Sequence, residues 1–197
     1  MPSFTTKEAR TPEEIQQSRD IRFAVFIDEQ KFAADVEIDD VDNTNSHVSF
    51  LVLDDTTNKP VGTVRLVPKK GKLTRLAVLK DYRKYGLGKT LVQALEAHVA
   101  AGGEDVQHLI HEVDGKKVAT VKIHSQVSLL SSFLTRLVSG SLALLLTPHC
   151  EVDEHRETGW SDSRTAETVK LGYEVQGGEF DEDGAPHVLM IKDIVVQ

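Results

Sequence analysis

The 197-residue chain reads as an α/β (α+β) domain built on one mixed, mostly antiparallel central sheet with flanking helices. Three observations predict it. Apolar runs of strand length alternate with stretches whose apolar residues recur at helical spacing. Turn-forming residues separate the runs at 47–53 and 61–67, so these neighbours are expected to pair as a hairpin. Between residues 72 and 99 an apolar strand passes into an amphipathic helix through a glycine loop rich in cations.

Each element has a local reason. A first strand is expected around residues 4–9. Thr11-Pro12-Glu13-Glu14 then reads as a capping box with proline at the first helical position. The helix it opens is expected to run toward Gln30, with Ile21, Ala24 and Val25 on one face. The acidic segment 35–42 follows as a solvated loop, whose five carboxylates have attraction of a cationic amine as their functional reading. Residues 54–60 connect the hairpin, and a strand over 72–79 extends the meander. Gly102-Gly103 closes the helix after the glycine loop, 119–125 alternates like a strand, and 174–180 and 187–195 supply the last two. No internal repeat is evident, and the length suits one domain spanning residues 1–197.

A formal charge of −8 argues against nonspecific nucleic-acid binding, which needs a basic footprint. Cys150 is the sole cysteine, so no intrachain disulfide forms, and the N-terminus lacks the apolar core of a secretory signal. A soluble, cytoplasmic protein is expected, with a homodimer left open. His111, His124 and Cys150 have no ligand-like spacing, and no metal is assigned.

The loop carries the chemistry. Gly86 and Gly88 let the backbone approach a ligand that a Cβ would push away, and the amides opening the following helix are unpaired donors at its positive end. An anion fits there. The spacing is neither a Walker loop nor the G-x-G-x-x-G of dinucleotide folds, since Leu91 sits where the third glycine belongs.

Arg83-x-x-Gly86-x-Gly88 after an apolar strand resembles the acyl-CoA loop of the GNAT superfamily of N-acetyltransferases. Upstream, Arg22-x-x-Val25-Phe26-x-x-Glu29-Gln30, then Glu37-Ile38-Asp39 and His47, resemble a GNAT subgroup. Downstream, Lys170-Leu171-Gly172-Tyr173 resembles the family's helix-to-strand corner, and 180–187 its last hairpin. The likeness leans toward the branch of the glucosamine-6-phosphate N-acetyltransferases.

The resemblance implies a fold, a co-substrate and a set of roles. Acetyl-CoA is expected to lie along Leu76, Ala77 and Val78, with its pyrophosphate on Arg83, Lys84, Tyr85, Gly86, Leu87, Gly88, Lys89 and Thr90. A small-molecule amine is expected at the end of the first helix, near Glu29 and Gln30. In much of the family a tyrosine two residues before the lysine of Lys-Leu-Gly-Tyr protonates the departing thiolate, but here Thr168 occupies that place. His124 is the expected substitute, since the histidine reference pKa of about 6.5 suits proton transfer near neutrality. Tyr173 is the second candidate, although it matches the family's later, structural tyrosine.

Residues 128–165 interrupt the family pattern. The apolar run 127–146 is long enough for a membrane span, but Arg136 near its centre would cost about 2.5–3.5 kcal/mol, which argues against one. An amphipathic helix is the plainer structural reading, and a retained intron is a further one. Two functions therefore stand: an N-acetyltransferase acting on a primary amine, such as glucosamine 6-phosphate or a polyamine, and an acyl-CoA-binding protein without turnover.

Overall fold

The computed structural model describes residues 2–126, 171–182 and 184–197. The interruption at 128–165, the apolar run at 127–146, Cys150, Thr168 and Lys170 lie outside the described residues. Eight strands are described: β1 (Phe4–Ala9), β2 (Val48–Asp54), β3 (Lys59–Val67), β4 (Lys72–Val78), β5 (Ile110–Val113), β6 (Lys116–Gln126), β7 (Glu174–Glu182) and β8 (Ala185–Val195). The helices are α1 (Pro12–Arg22), α2 (Asp40–Asn43) and α3 (Leu87–Ala100).

The sheet runs β1-β2-β3-β4-β6-β8-β7, with β5 pairing the start of β6. Among the described strands only β4 and β6 run parallel; the other pairs are antiparallel. The expected mixed, mostly antiparallel sheet is therefore present. One addition is β5, folded onto β6 through Asp114-Gly115, both at positive φ, which is the turn that suits a two-residue hairpin.

Helix α1 starts as its sequence requires. Thr11 Oγ1 accepts from the Glu14 amide at 3.2 Å, and the Glu14 carboxylate accepts from the Thr11 amide at 3.1 Å. It does not continue as an α-helix to Gln30. Residues Phe23–Glu29 form π-helical turns, and the Gln30 amide donates back to Val25 at 3.0 Å. The wider turns keep Val25 in the core while Glu29 reaches toward the glycine loop.

Apolar side chains fill both faces of the sheet. On one, Leu87, Leu91, Val92, Leu95 and Val99 of α3 pack on Val64, Leu66, Leu73, Ile123 and Met190. On the other, Ile21 and Val25 pack on Leu51, Leu53 and Ala77. Because successive strand residues point to opposite faces, Lys72 and His124 lie on the α1 side, next to core residues Leu73 and Ile123 that face α3.

Candidate active site

Strand β4 is bent at the place that matters. Thr63 pairs with Ala77 and Arg65 with Thr74, so Arg75 and Leu76 together face Val64 as a bulge, and Arg75 has φ 53°. β4 meets β6 only at Lys72 opposite Lys122 and Leu73 opposite Ile123. Past that point the ladder stops, although β4 runs on to Val78 and β6 to Gln126. The backbone of Leu76, Ala77 and Val78 therefore borders a cleft between diverging strands.

A short helical turn over Lys80–Tyr85 leads from β4 to α3. Gly86 has φ 70°, a left-handed conformation that glycine adopts without a steric penalty. The first bonds of α3 run from the Lys89 and Thr90 amides to the Gly86 carbonyl, so the Leu87 and Gly88 amides precede the helical ladder. A Cβ built on Gly86 or Gly88 would meet no atom within 4 Å. Packing thus gives no reason for glycine at 88. An empty approach above open helix amides is a cradle that suits a pyrophosphate. Lys84, Tyr85, Lys89 and Thr90 stand exposed around it, with the Lys84 ammonium 5.2 Å from the Tyr85 ring centre.

Arg83 does not stand alone. Its guanidinium donates to both oxygens of Glu29 and its Nε to the Val78 carbonyl, so the structure joins the expected cofactor loop to the expected acceptor residue. Gln30 adjoins this contact in sequence, and its buried Oε1 finds no partner among the described residues.

Residues 13–119 match the Acetyltransferase (GNAT) family, more than half of the chain. The chain belongs to the GNAT acetyltransferase family. The Bacillus subtilis protein YyaT, itself uncharacterized, is 29% identical over 190 residues, covering 95% of each chain. The N-acetyltransferase YjcF of the same organism, also uncharacterized, is 38% identical over 97 residues, covering 48% of this chain and 66% of its own. Among solved structures, an acyl-CoA N-acyltransferase from Pseudomonas aeruginosa superposes with a TM-score of 0.58 at 19% identity, over 96% of this chain and 99% of that one. An aminoglycoside 6'-N-acetyltransferase complexed with coenzyme A superposes with a TM-score of 0.56 at 19% identity, over 99% and 98%. This GNAT protein is an acetyl-CoA-dependent N-acetyltransferase.

The acidic segment 35–42 differs from expectation. Arg22 donates to Asp42 at 2.7 and 2.8 Å and to Glu37, while Arg65 meets Asp39 at 2.9 and 2.6 Å and Asp42 at 2.8 Å. Arg75 reaches Glu37 at 3.2 Å. Three of the five acids are thus neutralised by arginines, two of them buried, and only Asp35 and Asp40 stand exposed. Burial works to raise the Asp42 pKa, but the Arg22 hydrogen bonds and charge, with Arg65, outweigh it and hold the carboxyl far below its ordinary value. The segment is a structural latch over α1 and β3, not an open lure for cations.

The two proton-transfer candidates lie on opposite faces of the sheet. Tyr173 is 1% exposed in the core beside α3. Burial first, and the Glu96 carboxylate second, push its hydroxyl pKa well above the ordinary phenol value. The Lys192 ammonium lies 5.5 Å from its ring centre and donates to Glu96 at 2.9 Å. Expected as a catalytic candidate, Tyr173 is placed as a core residue, because it is sealed between α3 and β8. His124 is half-buried on the α1 face, one residue past the last β4–β6 pair. Its Nδ1 lies 2.8 Å from Lys72 Nζ and 2.8 Å from Glu182 Oε2. Lys72 and Glu182 were not singled out from sequence. Among the described residues no group of three His, Cys, Asp or Glu is placed to hold a metal, and no helix is long and apolar enough to cross a membrane.

Proposed function

We propose that the protein acetylates the primary amine of an amino sugar, with glucosamine 6-phosphate as the specific candidate. Its acetyl-CoA half is carried by the glycine cradle at the start of α3, which Arg83 ties to the end of β4 through the Val78 carbonyl. Leu87 and Gly88 amides, with Arg83 and the exposed Lys84, Tyr85, Lys89 and Thr90, hold the pyrophosphate; Leu76, Ala77 and Val78 hold the adjoining arm with backbone groups. Acetyl-CoA supplies the acetyl group as a thioester. Glu29 and Gln30 border the acceptor, and His124, expected from sequence as the acid for the departing thiolate, serves instead to accept the proton that the ammonium must lose before its nitrogen can attack. The amino-sugar class is supported by the fold shared with the aminoglycoside 6'-N-acetyltransferase and by the sequence likeness to the glucosamine-6-phosphate branch. A polyamine loses its main support once the acidic segment is paired with arginines. Residues 128–165 are an insertion into this single domain.

The test is thiol release from acetyl-CoA, with mass detection of the acetylated product, across glucosamine 6-phosphate, glucosamine, an aminoglycoside and spermidine. Glucosamine 6-phosphate should give the highest kcat/KM. Preference for spermidine would overturn the amino-sugar assignment. Acetyl-CoA binding without turnover of any amine would favour the binding-protein reading.

A further inference from the structure

His124 sits in a built charge cluster. Lys72 comes from β4, Glu182 and Phe180 from β7, and His187 from β8. Lys72 Nζ lies 3.0 Å from Glu182 Oε1, while Glu182 Oε2 lies 2.8 Å from His124 Nδ1 and 3.9 Å from His187 Nε2. The Phe180 ring meets His124 edge-on with centres 4.9 Å apart and stacks on His187 at 6.1 Å. Lys122 is the next residue on the same face of β6.

The same ring nitrogen thus faces a donor and an acceptor, and it cannot satisfy both. If Nδ1 carries the proton it donates to Glu182, and Nε2 is left with a lone pair. If Nδ1 is bare it accepts from Lys72, and Nε2 carries the proton. Burial works against the Glu182 charge, but Lys72 and His124 outweigh it and hold the carboxyl below its ordinary pKa. Both bonds are charge-assisted, but Lys72 keeps its bond to Glu182 Oε1 in either arrangement, whereas Oε2 loses the His124 donor in the second, so the first is favoured.

Resting on the acetyl-transfer reading above, we propose that Glu182 and Lys72 are opposed positioning residues for His124: Glu182 fixes the Nδ1–H tautomer and stabilises the imidazolium, and Lys72 limits that stabilisation so that the proton can leave again. His124 Nε2 then takes one proton from the acceptor ammonium. The nitrogen pair so exposed forms the bond to the acetyl carbon as the carbon–sulfur bond breaks and its electrons pass to sulfur. The second proton lost by nitrogen ends on that sulfur, and the one held by His124 returns to solvent. Both partners act through His124, as the groups that orient an imidazole do elsewhere.

The experiment uses full-length protein labelled with ¹⁵N-histidine, the His124 signals being assigned with His124→Asn. With the ring neutral, wild type should carry its proton on Nδ1. In Glu182→Gln the proton should move mainly to Nε2, because Lys72 then prevails over a neutral amide, whereas in Lys72→Met it should stay on Nδ1. With acetyl-CoA and glucosamine 6-phosphate as probes, Glu182→Gln should lower kcat about tenfold or more with acetyl-CoA affinity within about twofold. The acid limb of kcat should move to lower pH in Glu182→Gln and to higher pH in Lys72→Met. A wild-type ring protonated on Nε2, a distribution unmoved by Glu182→Gln, or an unchanged kcat would overturn the proposal. The expected tautomers in a protein that binds acetyl-CoA but acetylates none of the amines would uphold the orientation of His124 by Glu182 and overturn the acetyl-transfer reading on which its catalytic use rests.

Discussion

Arg83 clamps Glu29 across 54 residues of sequence, donating to its two carboxylate oxygens at 2.7 and 2.6 Å while its Nε donates to the Val78 carbonyl at 2.9 Å. One side chain thereby ties the end of the π-helical turns to the last residue of β4. Arg83→Ala should weaken acetyl-CoA by about 1–3 kcal/mol, roughly five- to more than a hundredfold, since the helix amides remain. Glu29→Ala frees the same guanidinium, so a double-mutant cycle read by calorimetry should be non-additive. Additive effects would show that the pair does not couple the two sides.

Gly88 separates ligand binding from folding. A Cβ there meets no protein atom, so Gly88→Val should leave a folded protein but place its side chain in the cradle. Acetyl-CoA affinity should fall at least about tenfold, reflecting the loss of one or two charge-assisted bonds. Unchanged affinity in a protein with a wild-type melting curve would remove the cradle from the site.

Asp42 should make the fold acid-sensitive. Its side chain is fully buried between Arg22 and Arg65, and its folded pKa lies below the unfolded value of about 3.9. The stability it contributes is therefore present above about pH 4 and is lost as the pH falls through the lower, folded value. Asp42→Asn leaves two arginines short of a partner and should cost about 3–5 kcal/mol at pH 7. Urea unfolding at pH 7 and pH 3 should show the gap between wild type and variant narrowing in acid; a constant gap would contradict the linkage.

Tyr173 should matter to packing and not to chemistry. Tyr173→Phe keeps the ring between α3 and β8 and should leave kcat within about twofold, far from the 10²–10⁴-fold effect of losing a general acid. Tyr173→Ala should destabilise by about 3–5 kcal/mol through the cavity it leaves. A hundredfold fall in kcat for a stably folded Tyr173→Phe would return the hydroxyl to the reaction.

The elements that sequence reading recovers are those with local causes. The Thr11–Glu14 box, the β2–β3 hairpin and the Gly86–Gly88 turn each lie within a few residues, where capping, alternation and backbone freedom act without help from the rest of the chain. Asp114-Gly115 carried the same kind of signal for β5 and could have revealed it.

What tertiary structure alone decided is partnership. Segment 35–42 is charged and loop-like by composition, yet it is held by arginines of α1, β3 and β4, and only the fold brings those cations to it. The π-helical turns likewise answer a distant requirement, with Val25 in the core and Glu29 at Arg83. His124 could be named from sequence because it lies on an alternating strand. Its relation to Lys72 and Glu182, 52 and 58 residues away, could not. Periodicity and turn chemistry are written in neighbouring residues, whereas the charge felt by a side chain is set by whatever the sheet places opposite it.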